Sequence, residues 1–191
     1  MANPPSGGFS GIAAGDINND GWKDLVLTSN VFPVNANATV LINNHKGGFT
    51  QVPTKFGALT AQPILANLTG DGDLDLILGG GSGAELYLGN GKGEFTSIPG
   101  LPGLLGTSGV NCVADVNGDG IPDLLISGAD TLYVYLGDGG GAYATPFTIG
   151  TGPAPGSIVV GHFHEQATPG LPDIVVPDFS GGVNVLLNLT E

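Results

Sequence analysis

Four short apolar runs punctuate a chain that is otherwise polar and rich in glycine: Leu25-Val26-Leu27, Leu76-Ile77-Leu78, Leu124-Leu125-Ile126 and Ile174-Val175-Val176. Apolar residues at successive rather than alternate positions predict strands covered on both faces. Each run is followed by a segment that alternates or nearly so, "ATVLIN", "AELYLG", "TLYVYLG" and "GVNVLLN". In the first three cases a Gly-rich turn follows, "NNHKGGF", "GNGKGEF" and "GDGGGAY", and delivers an aromatic at Phe49, Phe95 or Tyr143. That is a hairpin signal. Ahead of each run lies a strand of small residues, "GIAAG", "PILAN", "NCVA" and "IVVG", suited to crowding near an axis. No segment has helical periodicity.

The unit repeats. Asp24, Asp75, Asp123 and Asp173 stand just before the four apolar runs, spaced 51, 48 and 50 residues apart. Four strands per 45–50 residues make one propeller blade. The predicted fold is therefore all-β, a β-propeller of four-stranded antiparallel blades with four repeats in one domain, 1–191. Blade 1 spans about 8–54, blade 2 about 58–101, blade 3 about 107–150 and blade 4 about 156–191. The last lacks its fourth strand in this reading. Three completions stay open: a fragment of a larger propeller, two copies making eight blades, or an imperfect four-bladed ring. The edge of an unfinished blade would offer unpaired backbone groups to a partner.

Charge narrows the partners. Seventeen acidic residues face four basic ones, Lys23, Lys46, Lys55 and Lys92, for a net charge of −13. Nucleic acid needs a basic footprint and is excluded, and an anionic membrane surface is disfavoured. The chain has no apolar run long enough to span a bilayer as a helix. Cys112 is the only cysteine, so no internal disulfide forms. Met1 to Ser6 is polar and Pro-rich and does not read as a secretory signal.

A cation is the natural partner of such a surface. The segment "ADVNGDGIPDLLISG" (114–128) places Asp115, Asn117, Asp119 and Asp123 at loop positions 1, 3, 5 and 9, with Gly120 at 6 and the Ile121 carbonyl at 7. Calcium takes 6–8 oxygen ligands in a loop that turns sharply around it. A ligand set without His or Cys favours calcium over a transition metal. The segment "AGDINNDGWKDLVLT" (14–28) offers the same set: Asp16, Asn18, Asp20 and Asp24, with Trp22 supplying the carbonyl. The segment "NLTGDGDLDLILG" (67–79) offers Asn67, Thr69, Asp71 and Asp75, with the Asp73 carbonyl. It has one charge fewer at position 1, so the third site is weaker. In the helix-flanked calcium hand, position 12 is a bidentate Glu; here it is Leu27, Leu78 or Ile126, inside a strand. Repeat 4, "HFHEQATPGLPD", keeps only Asp173 and is expected to bind no calcium. The competing reading is an acidic turn that needs no metal.

On these residues the chain resembles the FG-GAP/VCBS repeat family, whose blades also build the heads of integrin α chains. The pattern D-x-[DN]-x-D-G-x-x-D plus an apolar run occurs at 16–27 and 115–126, and at 67–78 with Asn67 and Thr69 as departures. The resemblance implies a calcium-stabilised β-propeller, usually extracellular or periplasmic, but does not fix an activity.

No GxSxG elbow or phosphate-cradling loop appears, and an enzyme is not expected. His45 reads as a solvated turn residue. His162 and His164 share a strand face and read either as the remnant of a lost calcium loop or as a metal or acid–base pair. Trp22 could stack on a sugar ring or partner, or pack between blades. Phe49, Phe95, Tyr143 and Phe147 are expected to fill the space between sheets. Asn37, Asn67 and Asn188 begin N-x-Thr sequons. The expected function is a calcium-stabilised extracellular recognition or adhesion module, lectin-like or integrin-head-like, for a glycan or protein. The alternative is a structural scaffold, a self-assembling half-propeller or part of a larger polysaccharide-active enzyme.

Overall fold

A computed structural model of the chain describes residues 8–29, 38–53, 56, 62–80, 83–99, 101, 112–153, 155–164 and 170–188. Among these there is no helix, and so none long and apolar enough to cross a membrane. Fifteen strands among the described residues form four antiparallel sheets in chain order. Sheet 1 comprises β1 (Phe9–Gly15), β2 (Asp24–Ser29), β3 (Ala38–Asn43) and β4 (Phe49–Val52). Sheet 2 comprises β5 (Ile64–Ala66), β6 (Asp75–Gly80), β7 (Gly83–Gly89) and β8 (Phe95–Ile98). Sheet 3 has β9 (Cys112–Ala114), β10 (Asp123–Ser127), β11 (Thr131–Tyr135) and β12 (Phe147–Gly150). Sheet 4 has three strands, β13 (Val159–Gly161), β14 (Asp173–Pro177) and β15 (Val183–Leu186). The four sheets are the blades of a β-propeller.

The apolar runs do what their patterning predicts. Leu76 and Leu78 of β6 face sheet 1, where they join Ile17, Val26, Val40 and Tyr87 in one core. Ile77, between them, faces the other way and joins Leu68, Leu86, Leu124, Ile126 and Tyr135 in the core between sheets 2 and 3. Leu125 in turn packs with Val116, Val134, Ile158, Ile174 and Val176 between sheets 3 and 4. The period of two thus sends alternate side chains of a middle strand into two different cores. Among the described residues no such core joins sheet 4 to sheet 1.

The two end faces differ accordingly. Position 2 of the corner loop is buried in the first three repeats, as Ile17, Leu68 and Val116, but its counterpart Phe163 is 52% exposed. Ala38, Val40, Ala84, Leu86, Leu132 and Val134 are buried, whereas their counterparts Val183 and Val185 are 64% and 49% exposed. Val159 and Leu187 on the same face are also exposed, as is Ile12 on sheet 1. The expectation that Phe147 fills an inter-sheet space is corrected here: it is 49% exposed. Phe95 and Tyr143 do pack into cores.

Candidate functional site

The corner between the first and second strand of each sheet is fixed by the aspartate that opens the second strand. Asp24, Asp75, Asp123 and Asp173 are all completely buried. Each accepts a backbone N–H on both carboxylate oxygens. One oxygen takes the N–H of loop position 2: Ile17 at 2.9 Å, Leu68 at 2.7 Å, Val116 at 2.9 Å and Phe163 at 2.8 Å. The other takes an N–H from the end of the third strand or just beyond it: Asn43 at 2.8 Å, Gly89 at 2.9 Å, Gly137 at 3.0 Å and Asn188 at 2.9 Å. The carboxylate clamps three stretches of chain together and satisfies buried donors that would otherwise be stranded. Its recurrence in repeat 4, where the loop pattern is lost, is the sequence signal for this second role.

The third-strand partner comes very close to the corner. A Cβ on Gly89 would lie 2.2 Å from the Leu74 carbonyl oxygen, and one on Gly137 would lie 2.6 Å from that of Pro122. Sheets 1 and 4 carry asparagine here instead. Asn43 Nδ2 donates to the Lys23 carbonyl at 3.2 Å, and Asn188 Nδ2 to the Pro172 carbonyl at 3.3 Å. The same approach is met by omitting a side chain or by hydrogen-bonding one to the obstructing carbonyl.

The remaining loop residues form nearly the same circuit in loops 1 and 3. Asp16 accepts the N–H groups of Asp20 and Gly21, and Asp115 those of Gly118 and Gly120, at 2.6–3.0 Å. Asp20 accepts Trp22 N–H, and Asp119 accepts Ile121 N–H, both at 2.8 Å. Asn18 and Asn117 donate Nδ2 to Asp20 and Asp119 at 2.8 and 2.9 Å. Position 6 has a left-handed backbone in every loop, φ 88° at Gly21, 97° at Gly72 and 84° at Gly120, which glycine adopts without a Cβ penalty. In loop 2, Asn67 accepts Gly70 N–H at 2.8 Å and Asp71 accepts Asp73 N–H at 2.9 Å. The Thr69 hydroxyl, at position 3, is buried with no hydrogen-bond partner among the described residues. The Asp73 side chain leaves its own loop and accepts Asn19 Nδ2 at 2.6 Å, tying loops 1 and 2 together.

Electrostatically the corners are short of positive charge. Burial pushes the Asp75 and Asp123 carboxyls up from the ordinary range. Their backbone hydrogen bonds oppose this, while repulsion from Asp71, and from Asp119 and Asp115, adds to it. Among the described residues no three His, Cys, Asp or Glu side chains converge on one point. The donor chemistry nevertheless fits a hard cation: oxygen ligands only, spare lone pairs on the carboxylates, and an orphaned buried hydroxyl at a ligand position of loop 2.

Two readings of individual residues change. His45 is not simply solvated: its Nε2 lies 2.8 Å from Asp20 Oδ2 and its ring stacks on Trp22 at 5.1 Å between centroids, 22° from parallel. Trp22 does not pack between sheets; it is 52% exposed beside loop 1. Position and stacking come from residues 23 apart in sequence, so no local pattern announced them. The Trp22 N–H bond, chiefly, with those from Asn18 and His45, holds Asp20 below the usual carboxylate range despite some desolvation. In repeat 4, His164 Nδ1 lies 2.8 Å from Asp173 Oδ2. Burial opposes ionisation of Asp173, but Asn188 N–H, His164 and Phe163 N–H outweigh it and hold the carboxyl well below its ordinary range. The Asn37 sequon lies outside the described residues, and Asn67 and Asn188 are engaged in the corner bonds above.

Comparison with solved structures places the fold. A lectin from Agrocybe aegerita, described by its specific recognition of non-reducing terminal N-acetylglucosamine, matches with a TM-score of 0.58 at 20% identity. The match covers 87% of this chain and 47% of the lectin. The V. cholerae biofilm matrix protein Bap1 matches with a TM-score of 0.52 at 21% identity, over 87% of this chain and 23% of Bap1. A Photorhabdus luminescens Tc holotoxin pore structure matches at 0.56 and 18% identity, over 94% of this chain and 9% of that one. This chain therefore spans about half of the lectin and a small part of the other two. Among curated proteins none matches the sequence. The FG-GAP-like repeat matches twice, at 67–126 and 115–163, together just over half of the chain. The first repeat lies outside those matches, yet its loop carries the hydrogen-bond circuit of the third. By this match and its four sheets, the chain belongs to the FG-GAP-like repeat family.

Proposed function

We propose that this chain is a non-catalytic recognition module that works outside the cell or in a periplasm, binds a glycan or a protein, and is stabilised by calcium at its corner loops. The observation that carries recognition is the exposed Trp22–His45 stack beside loop 1. A flat indole with one open face and neighbouring carboxylate and amide groups suits the apolar face and hydroxyls of a sugar ring. The lectin with the same fold makes N-acetylglucosamine-terminated glycans the first probes. Calcium would be held by Asp115, Asn117, Asp119, Asp123 and the Ile121 carbonyl. The equivalent groups are Asp16, Asn18, Asp20, Asp24 and the Trp22 carbonyl in loop 1, and Asn67, Thr69, Asp71, Asp75 and the Asp73 carbonyl in loop 2. The ion would neutralise carboxylates that repel one another. The test is glycan-array screening with and without calcium. Binding that disappears on Trp22→Ala supports the proposal; an array unchanged by Trp22→Ala removes the stack from the site.

A second reading is favoured by the end face of sheet 4. Val159, Val183, Val185 and Leu187 occupy positions that in sheets 1–3 face the next blade, and each Val or Leu buried there adds about 1.5–3 kcal/mol. A second copy presenting sheet 1 to this face, and the reverse, would close a two-fold ring of eight blades, within the usual range for propellers. Light scattering decides: a mass of twice 19.0 kDa that falls to the monomer on Val183→Asp and Val185→Asp supports assembly. A monomer at all concentrations ends it.

A further inference from the structure

In sheets 1 and 2 the fourth strand, and in sheet 3 an isolated bridge just before it, brings an aromatic to a fixed place. The backbone pairs Asn43 with Phe49, Gly89 with Phe95, and Gly137 with Tyr143. Asn43, Gly89 and Gly137 are the residues whose N–H meets the clamping aspartate. Phe95 then packs into the core between sheets 1 and 2, and Tyr143 into that between sheets 2 and 3. In sheet 4 the corresponding residue is Asn188, whose N–H meets Asp173. No described strand pairs with the outer edge of β15.

Where the aromatic of a fourth strand would enter, between sheets 3 and 4, there is a cavity of about 290 Å³. Val116, Leu136, Phe147, Ile149, Leu186 and Asn188 line it. The counterparts of the first, second, third and fifth of these are Ile17, Ile42, Val52 and Tyr87, which pack in one core with Phe95. The cavity is thus the space that Phe95 fills two interfaces earlier. An apolar void of about 150 Å³ already takes benzene, so this one accommodates a phenyl or phenol ring.

The geometry points to a peptide-binding site: the edge of β15 that no described strand covers accepts an extended peptide as a fourth strand, with an aromatic side chain opposite Asn188 seated in this cavity. Strand addition supplies affinity through main-chain hydrogen bonds, and the pocket supplies selection. A net charge of −13 on the receiving chain favours a segment that is neutral or basic. The inference is independent of the Trp22 site, which lies in the loop of a different sheet.

The probe is a synthetic peptide copying this chain's own fourth strand, Asn90 to Pro99 (NGKGEFTSIP), titrated into the full chain and followed by NMR. The expected result is saturable shifts confined to the amides of β15 and the cavity lining. A peptide carrying Phe95→Ala should bind at least tenfold more weakly. In the protein, Ile149→Trp, which fills the cavity, should reduce binding of the unaltered peptide by a similar factor while thermal unfolding stays cooperative. If Ile149→Trp does not fold, the comparison of the two peptides on the unaltered protein decides alone. Absence of shifts, shifts elsewhere, or equal binding of both peptides overturns the proposal.

Discussion

Replacing Asp123 by asparagine separates the two roles open to the corner aspartate. The side chain keeps its shape and loses one acceptor. In the native corner Val116 N–H and Gly137 N–H bind the two carboxylate oxygens at 2.9 and 3.0 Å. Asparagine presents one carbonyl oxygen and one NH2, so one N–H keeps its partner and the other faces a donor. A hydrogen bond to a charged group contributes about 1.5–3 kcal/mol, and a buried N–H left unmet costs about 1–3 kcal/mol. Removing the charge also removes its repulsion with Asp115 and Asp119, which offsets part of the loss. A net destabilisation of about 2–4 kcal/mol follows. For a chain of this length each kcal/mol moves the melting temperature by about 2–4 °C, giving a fall of roughly 5–15 °C. Circular dichroism melting in the presence of a chelator measures the clamp alone. Repeating it in millimolar calcium measures any ligand role: a metal-binding Asp123 makes the deficit larger with calcium than without. Hydrogen exchange at the Val116 and Gly137 amides gives the local readout. A melting temperature within about 2 °C of the parent, with both amides still protected, would refute the clamp.

Chelation should itself lower the parent melting temperature, since an ion bound only by the folded chain adds about 2.7 kcal/mol per site at a hundredfold excess over Kd. Thr69→Val should weaken the calcium-induced shift in melting temperature while leaving the chelated protein as stable or more so, because it removes a buried hydroxyl without a partner. Gly89→Ala forces a Cβ against the Leu74 carbonyl and should cost about 1–3 kcal/mol in urea unfolding, whereas Gly89→Asn, copying Asn43 and Asn188, should cost less. Asp173 titrates below its ordinary value of 3.8, so its contribution is complete above that pH and is lost as the pH falls through the depressed native value. Asp173→Asn should therefore flatten the acid limb of the stability–pH curve below about pH 4, measured by urea unfolding at each pH.

The repeat and its strands were legible because both depend on local order. A period near 50, apolar runs and turn residues are properties of neighbours in the chain, and each run does carry a middle strand. The corner aspartates were legible as positions but not as clamps, since their second donor lies 14 to 19 residues away on another strand. Their recurrence in a repeat without the calcium pattern was the available clue. The Trp22–His45 stack and the Asn19–Asp73 bond were illegible for the same reason: they join loops that only the fold brings together. Phe147 illustrates a subtler failure. It sits at the strand position of Val52 and Ile98, which pack into cores, and its exposure follows from the cavity beside it.

Repeat 4 tethers Asp173 through the same pair of main-chain amides although the connection before it is longer and differently composed. The turn is thus decoupled from the ladder it interrupts. A designer could rewrite a corner in length, charge or cargo, provided an aspartate opens the following strand and an amide meets each of its oxygens. The architecture carries its variable region at the bends and its invariant in a single carboxylate per blade.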